Sequence, residues 1–179
     1  MIHHKASQRY AKALFELALP KNLIDEVSFD LHKISQLIKD SSLFHAFLNN
    51  REILSQQKKE VIDKVFKDNF SSLIHQFLIF LVKKRRLDLL SEILEEFRAL
   101  YWAHKNILPV QITSASPFNQ DQLLKINQQL QSRFKKDIKP TLGVDSELIG
   151  GFQIKVKDQI FDFSLRSQLL KFKNQVMSV

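Results

Sequence analysis

From residue 5 to residue 104, apolar side chains recur every three or four positions, the period of helices that bury one face. The segment 5–19, KASQRYAKALFELAL, predicts the first such helix. Tyr10, Ala13, Leu14 and Leu17 fall on one face of it, and Ala11, Phe15 and Ala18 on a neighbouring face. A surface helix needs a single apolar stripe. A helix with nearly two is either buried on most sides or turns one stripe to the core and offers the other to a partner helix. Pro20, which has no N–H, ends it. Ile24, Val27, Leu31, Ile34 and Ile38 predict a second helix over 23–39, and Phe44 and Phe47 a short third over 43–48. Ser55 caps a fourth, with Val61, Ile62, Val65 and Phe66 inward. Ser71 or Ser72 starts a fifth that is apolar almost all round, from Leu73 and Ile74 through the run 77–82. Such a helix is either central or covered on its outer side by another chain. Leu87, Leu90, Leu94, Phe97 and Tyr101 give a sixth helix its stripe.

At residues 104–109 the period falls to two, which places a domain boundary between residues 105 and 106. Val110 and Ile112 predict a strand, Ser116-Pro117 a helix start for the face Leu123, Ile126, Leu130 and Phe134, and residues 140–144 a second strand. Gly150-Gly151 marks a tight bend in a chain with only three glycines. Phe152, Ile154 and Val156 then alternate with Gln153, Lys155 and Lys157 as one arm of a hairpin, with Ile160-Phe161 as the other. Asp162 or Ser164 caps a last helix carrying Leu165, Leu169, Leu170 and Phe172. The predicted class is mainly α: a six-helix bundle over 1–105, then a small α/β domain over 106–179 whose sheet two helices cover.

Composition narrows the chemistry. Hydrophobic residues make up 44% of the 179, enough for packed cores. There is no cysteine, hence no disulfide and no thiolate site. The longest apolar run, 77–82, is far short of the ~20 residues of a membrane span, and Arg9 and Lys12 interrupt any signal-peptide core. Three glycines cannot build a phosphate-binding loop, no histidine pair brackets a glutamate at zinc spacing, and no serine sits in a Gly-x-Ser-x-Gly turn. No catalytic residue, metal or cofactor is therefore expected. The net charge of +8 favours acidic partners. Lys83-Lys84-Arg85-Arg86 reads either as a solvated turn facing a helix's negative end or as a patch that touches phosphate or lipid. With the cluster at 133–139 it also raises the alternative of a basic helical RNA-binding protein, although no aromatics interleave with the basic residues and no RNA-module signature is present.

Residues 148–172 resemble the C-terminal signature of the delta subunit of ATP synthase, whose mitochondrial relative is the oligomycin-sensitivity-conferring protein. The signature stands here as Leu148-Ile149-Gly150-Gly151, Asp162, Ser164, Arg166 and Leu169. Phe163 replaces a usual glycine, so either the backbone there has no need of positive φ or the ring has found new packing. RYAKALFELA at 9–18 and KKRRLDLLSEI at 83–93 match the family in the same order, so the resemblance spans nearly the whole chain. It implies a non-enzymatic stator subunit, present once in a hetero-oligomer, that links the alpha and beta subunits of the catalytic head to the b subunits of the stalk. It implies no cofactor, no nucleic acid, and contact with the cytoplasmic face of a bacterial inner membrane only through partners. The first and fifth helices would form a groove for the N-terminal helix of an alpha subunit, with Tyr10, Ala13, Leu14 and Leu17 on one wall and Ile74, Phe77, Leu78 and Leu81 on the other. Gly150, Gly151, Asp162, Ser164, Arg166 and Leu169 would form the structural motif of the C-terminal domain.

Overall fold

The computed structural model describes residues 2–177, which divide into two compact units between Tyr101 and Trp102. The first holds α1 (Ile2–Ala18), α2 (Ile24–Asp40), α3 (Ser42–Asn49), α4 (Ser55–Phe66), α5 (Ser72–Lys83) and most of α6 (Leu90–His104). α1 gives the core one stripe, Ser7, Ala11, Leu14 and Ala18, at the spacing of successive turns. Around it pack Ile34, Ile62, Phe66, Ile74, Leu78, Leu81, Leu90 and Phe97. Phe66 carries an aromatic chain, with ring centroids 6.0 Å from Phe44 and 4.8 Å from Phe70.

The start of α5 depends on a side chain from another helix. Asp30 of α2 is buried, and its Oδ2 accepts the Ser71 N–H at 2.8 Å. A buried carboxylate is tolerated there because it meets a free N–H at the positive end of a helix. The other end of α5 closes on Arg86 N–H to Leu81 O (2.9 Å) and Arg85 N–H to Val82 O (3.0 Å), with Arg85 at φ +55. This is the left-handed helix stop in which glycine is the usual residue.

The second unit is a four-stranded sheet in the order β2-β1-β3-β4, formed by β1 (Ile107–Ser114), β2 (Asp137–Val144), β3 (Phe152–Val156) and β4 (Gln159–Asp162). β1 and β2 are parallel, and α7 (Gln120–Phe134) makes the crossover that parallel strands require. β3 pairs antiparallel with both β1 and β4. Ile126 and Leu130 of α7 cover Leu108, Val110, Ile112, Ile154 and Val156. Two expectations are corrected. α7 starts at Asn119 rather than at Ser116-Pro117, because Asn119 and Gln122 cap each other's backbone N–H groups at 2.8 and 3.0 Å. The last helix, α8 (Leu165–Met177), does not cover the sheet with its described apolar residues, which are exposed.

The glycine pair holds the start of α8 by close backbone approach. Ile149 turns the chain at φ +64, and Gly150 N–H reaches back to Leu148 O at 2.6 Å, a three-residue turn. Gly150 O accepts the Leu165 N–H at 2.9 Å. Gly151 has φ +79, and a Cβ there would lie 2.3 Å from Phe163 O. One built on Gly150 would lie 2.5 Å from Leu165 Cδ1. Ser164 caps the helix by accepting the Ser167 N–H at 3.2 Å. Asp162 in turn accepts the Ser167 hydroxyl at 2.6 Å, the Ser164 N–H at 2.8 Å and the Gln153 amide at 2.9 Å. Phe163 does not adopt positive φ, and its ring lies 5.3 Å from that of Phe152. Both explanations for the missing glycine therefore apply.

Gly151→Val combines a β-branched residue at positive φ with a backbone clash. It should destabilise the second unit by about 3 kcal/mol or more, read as earlier loss of amide protection in β3 and α8 while the bundle's protection is unchanged. The hydrogen bonds from Ser167 and Ser164 hold the Asp162 carboxyl well below the usual carboxylate range. Their stabilisation is present above the ordinary carboxyl pKa of about 4 and is lost as pH falls toward the lower native value. The protection of the Ser164 and Ser167 amides, relative to their intrinsic exchange rates, should fall on acidification below about pH 4. In Asp162→Asn that acid-dependent loss of protection should be absent.

Candidate partner-docking surfaces

The eight residues proposed for a groove separate into two sets. Leu14, Ile74, Phe77, Leu78 and Leu81 are core residues of the bundle and cannot line a seat for another chain. The reason is the all-apolar character of α5. Its exposed face is Ser72, Gln76, Phe80 and Lys83, at helical spacing, so the residues assigned to an outer wall in fact point inward. Tyr10, Ala13 and Leu17 do lie along the outer part of α1: Tyr10 is half-buried, Ala13 exposed, and Leu17 53% exposed.

Phe80 extends this surface across to α5. It is 42% exposed, and its ring meets that of Tyr10 edge-on at 6.1 Å and 69°. Lys84 Nζ stands 5.8 Å from the centroid of the same ring. The sequence carried a signal for Phe80, since Ser72, Gln76 and Lys83, three of the four polar members of α5, share the face that Phe80 completes. Tyr10, Ala13, Leu17 and Phe80 are thus apolar positions open to a partner along α1 and α5; Phe29, Leu43 and Leu54 are exposed elsewhere on the bundle.

In the second unit, Leu165, Leu169 and Phe172 are spaced four and three apart along α8, a single stripe with Leu170 beside it. All four are exposed, Leu169 at 61% and Phe172 at 70%. Helical spacing puts them together, and among the described residues none of the four packs against the core of the sheet. Of the remaining motif residues, Gly150, Gly151, Asp162 and Ser164 build the clamp that starts α8. Arg166 is exposed, with Nη1 3.8 Å from Glu147 Oε2. A cleft of about 230 Å3 opens between α7 and the sheet, lined by Leu130, Phe134, Phe152, Ile154, Phe161 and Phe163. The Arg133 guanidinium lies 5.0 Å from the Phe161 ring at its side. No helix among the described residues is long and apolar enough to cross a membrane.

The profile of the ATP synthase delta (OSCP) subunit matches residues 6–176. The ATP synthase subunit delta of Symbiobacterium thermophilum is 32% identical over 178 residues, covering 99% of this chain and 96% of that protein. That of Thermosynechococcus vestitus is 37% identical over 161 residues, covering 89% and 87%. A chain of the Toxoplasma gondii mitochondrial ATP synthase hexamer shares the fold, with a TM-score of 0.77 at 24% identity over 96% of this chain and 97% of that one. With its sequence matched from residue 6 to residue 176, this chain belongs to the ATP synthase delta (OSCP) subunit family.

Proposed function

We propose that this chain is the static adapter of a proton-translocating rotary ATP synthase, tying the alpha–beta catalytic head to the membrane-anchored b subunits. A turning rotor drags the head with it unless the head is tethered, so the task is to keep two docking sites occupied under torque. The observation that carries this reading is a set of exposed apolar residues at helical spacing in each unit, around Leu17 and Phe80 in the first and along α8 in the second. Covering a leucine contributes about 1.5–3 kcal/mol when burial is complete. An exposed pair such as Lys12–Glu16, 3.7 Å apart, contributes about 0.3–0.5 kcal/mol. Slow dissociation under load therefore depends on the apolar anchors.

In this reading the bundle receives an amphipathic N-terminal helix of an alpha subunit along Tyr10, Ala13, Leu17 and Phe80, and the second unit receives the b subunits. One copy serves each complex. The chain meets the cytoplasmic face of a bacterial inner membrane only through its partners, and it has neither an active site nor a cofactor of its own. The family assignment displaces the RNA-binding alternative.

Calorimetric titration with an alpha-subunit N-terminal peptide tests the seat on α1. Leu17→Asp should bind at least tenfold more weakly while melting like the parent, since its side chain is already half in water. Leu14→Asp puts an unpaired charge into the core and should cost about 3–5 kcal/mol of stability. Equal affinity of Leu17→Asp and the parent would remove α1 from the docking surface.

A further inference from the structure

The basic run at residues 83–86 meets the proposed docking surface at Lys83 and Lys84 and continues beyond it. Three of its members, Lys84, Arg85 and Arg86, line a cavity of about 480 Å3 on the bundle. The opposite wall is the turn between α3 and α4, which contributes Arg51, and the first turns of α4 contribute Lys58. Five basic residues from three separate segments thus line one space, with two acidic residues, Glu52 and Asp88; the Lys84 ammonium stands over the Phe80 ring. Asp88 Oδ2 accepts from Arg51 Nη2 at 3.0 Å, a link that fixes the two walls to each other, while its buried Oδ1 has no hydrogen-bond partner.

Lys58 is the most informative member. It is only 9% exposed, and its ammonium, with three donors, has one hydrogen-bond acceptor, the Leu48 carbonyl at 3.1 Å. Burial lowers its pKa, and the Asp88 charge opposes that shift. A lysine is rarely buried without an anionic partner, and here the carboxylate that acts on it, Asp88, shares its charge with Arg51 through Oδ2. The cavity has the size of small-molecule sites, and guanidinium and ammonium groups converging on one space are the chemistry that holds phosphate oxygens.

We propose that this cavity binds a small multivalent phosphate anion. Its recess and volume suit a free polyphosphate rather than the flat headgroup layer of a bilayer. Arg85 permits a test that separates binding from folding. It occupies a left-handed position at φ +55, so Arg85→Gly relieves backbone strain while removing one charge from the cavity. Lys135, at φ +52 at the end of α7, is a control of the same chemistry elsewhere.

Titration of the full chain with inorganic pyrophosphate, at a salt concentration of about 0.15 M, should show one saturable site. Arg85→Gly should melt no earlier than the parent yet bind pyrophosphate about tenfold or more weakly. Lys135→Gly should keep the parent's affinity, and vesicles containing phosphatidylglycerol should not sediment the protein. The site is refuted if the parent shows no saturable pyrophosphate binding, if Arg85→Gly binds like the parent, or if Lys135→Gly loses as much affinity. Sedimentation with vesicles in the absence of pyrophosphate binding also refutes it.

Discussion

α1 can turn only one face to the bundle, and the residues on that face are Ser7, Ala11, Leu14 and Ala18. Two of the four are alanines, which let neighbouring backbones come close, and the stripe is narrow in consequence. Everything else apolar on α1 must find cover elsewhere or remain in water. Phe15 finds it against Phe97, with ring centroids 5.7 Å apart. Ala13 and Leu17 do not, and Tyr10 is covered only in part by Phe80. The docking surface we propose for the bundle is what remains when one helix with too many apolar positions has filled its share of the core.

The second unit reaches the same outcome by a different route. Its sheet closes its core with one helix, α7. α8 is held at its first turn, where Gly150 and Gly151 bring backbone against backbone and Asp162 gathers Ser164, Ser167 and Gln153. That clamp fixes where the helix starts and leaves the stripe from Leu165 to Phe172 uncovered. The residues that make the C-terminal signature recognisable therefore serve mainly to hold a helix, and the leucines that follow are what the helix presents. In both units polar and backbone contacts set position while apolar groups remain available for a partner.

Much of this was legible in the sequence. Period and breaks located all six helices of the bundle, because each carries apolar residues at helical spacing and a polar or proline break after it. The hairpin followed from the alternation of Phe152, Ile154 and Val156, and the bend from the glycine pair. What could not be read was orientation. On α5 nearly every position is apolar, so periodicity gave no direction, and Ile74, Phe77, Leu78 and Leu81 were placed on an outer wall when they form the core. The cap of α5 was hidden for a related reason: Asp30 lies 41 residues before the N–H it receives, and only folding brings them together. At α7 a local rule misled, since Ser116-Pro117 resembles a helix start but Asn119 and Gln122 form the reciprocal cap three residues later. The stripe of α8 was visible as a stripe, but amphipathicity does not distinguish a face that meets its own core from one that waits for another chain.

A clamp of this kind works only if its two ends act independently, one apolar surface for the head and one for the stalk. The most direct measurement is affinity purification of the tagged chain from detergent-solubilised membranes, comparing the parent with Leu17→Asp and Leu169→Asp. The parent should bring down alpha, beta and b together; Leu17→Asp should retain b and lose alpha and beta, and Leu169→Asp should do the reverse. If both variants recover all three partners like the parent, these apolar surfaces are not where the complex is held.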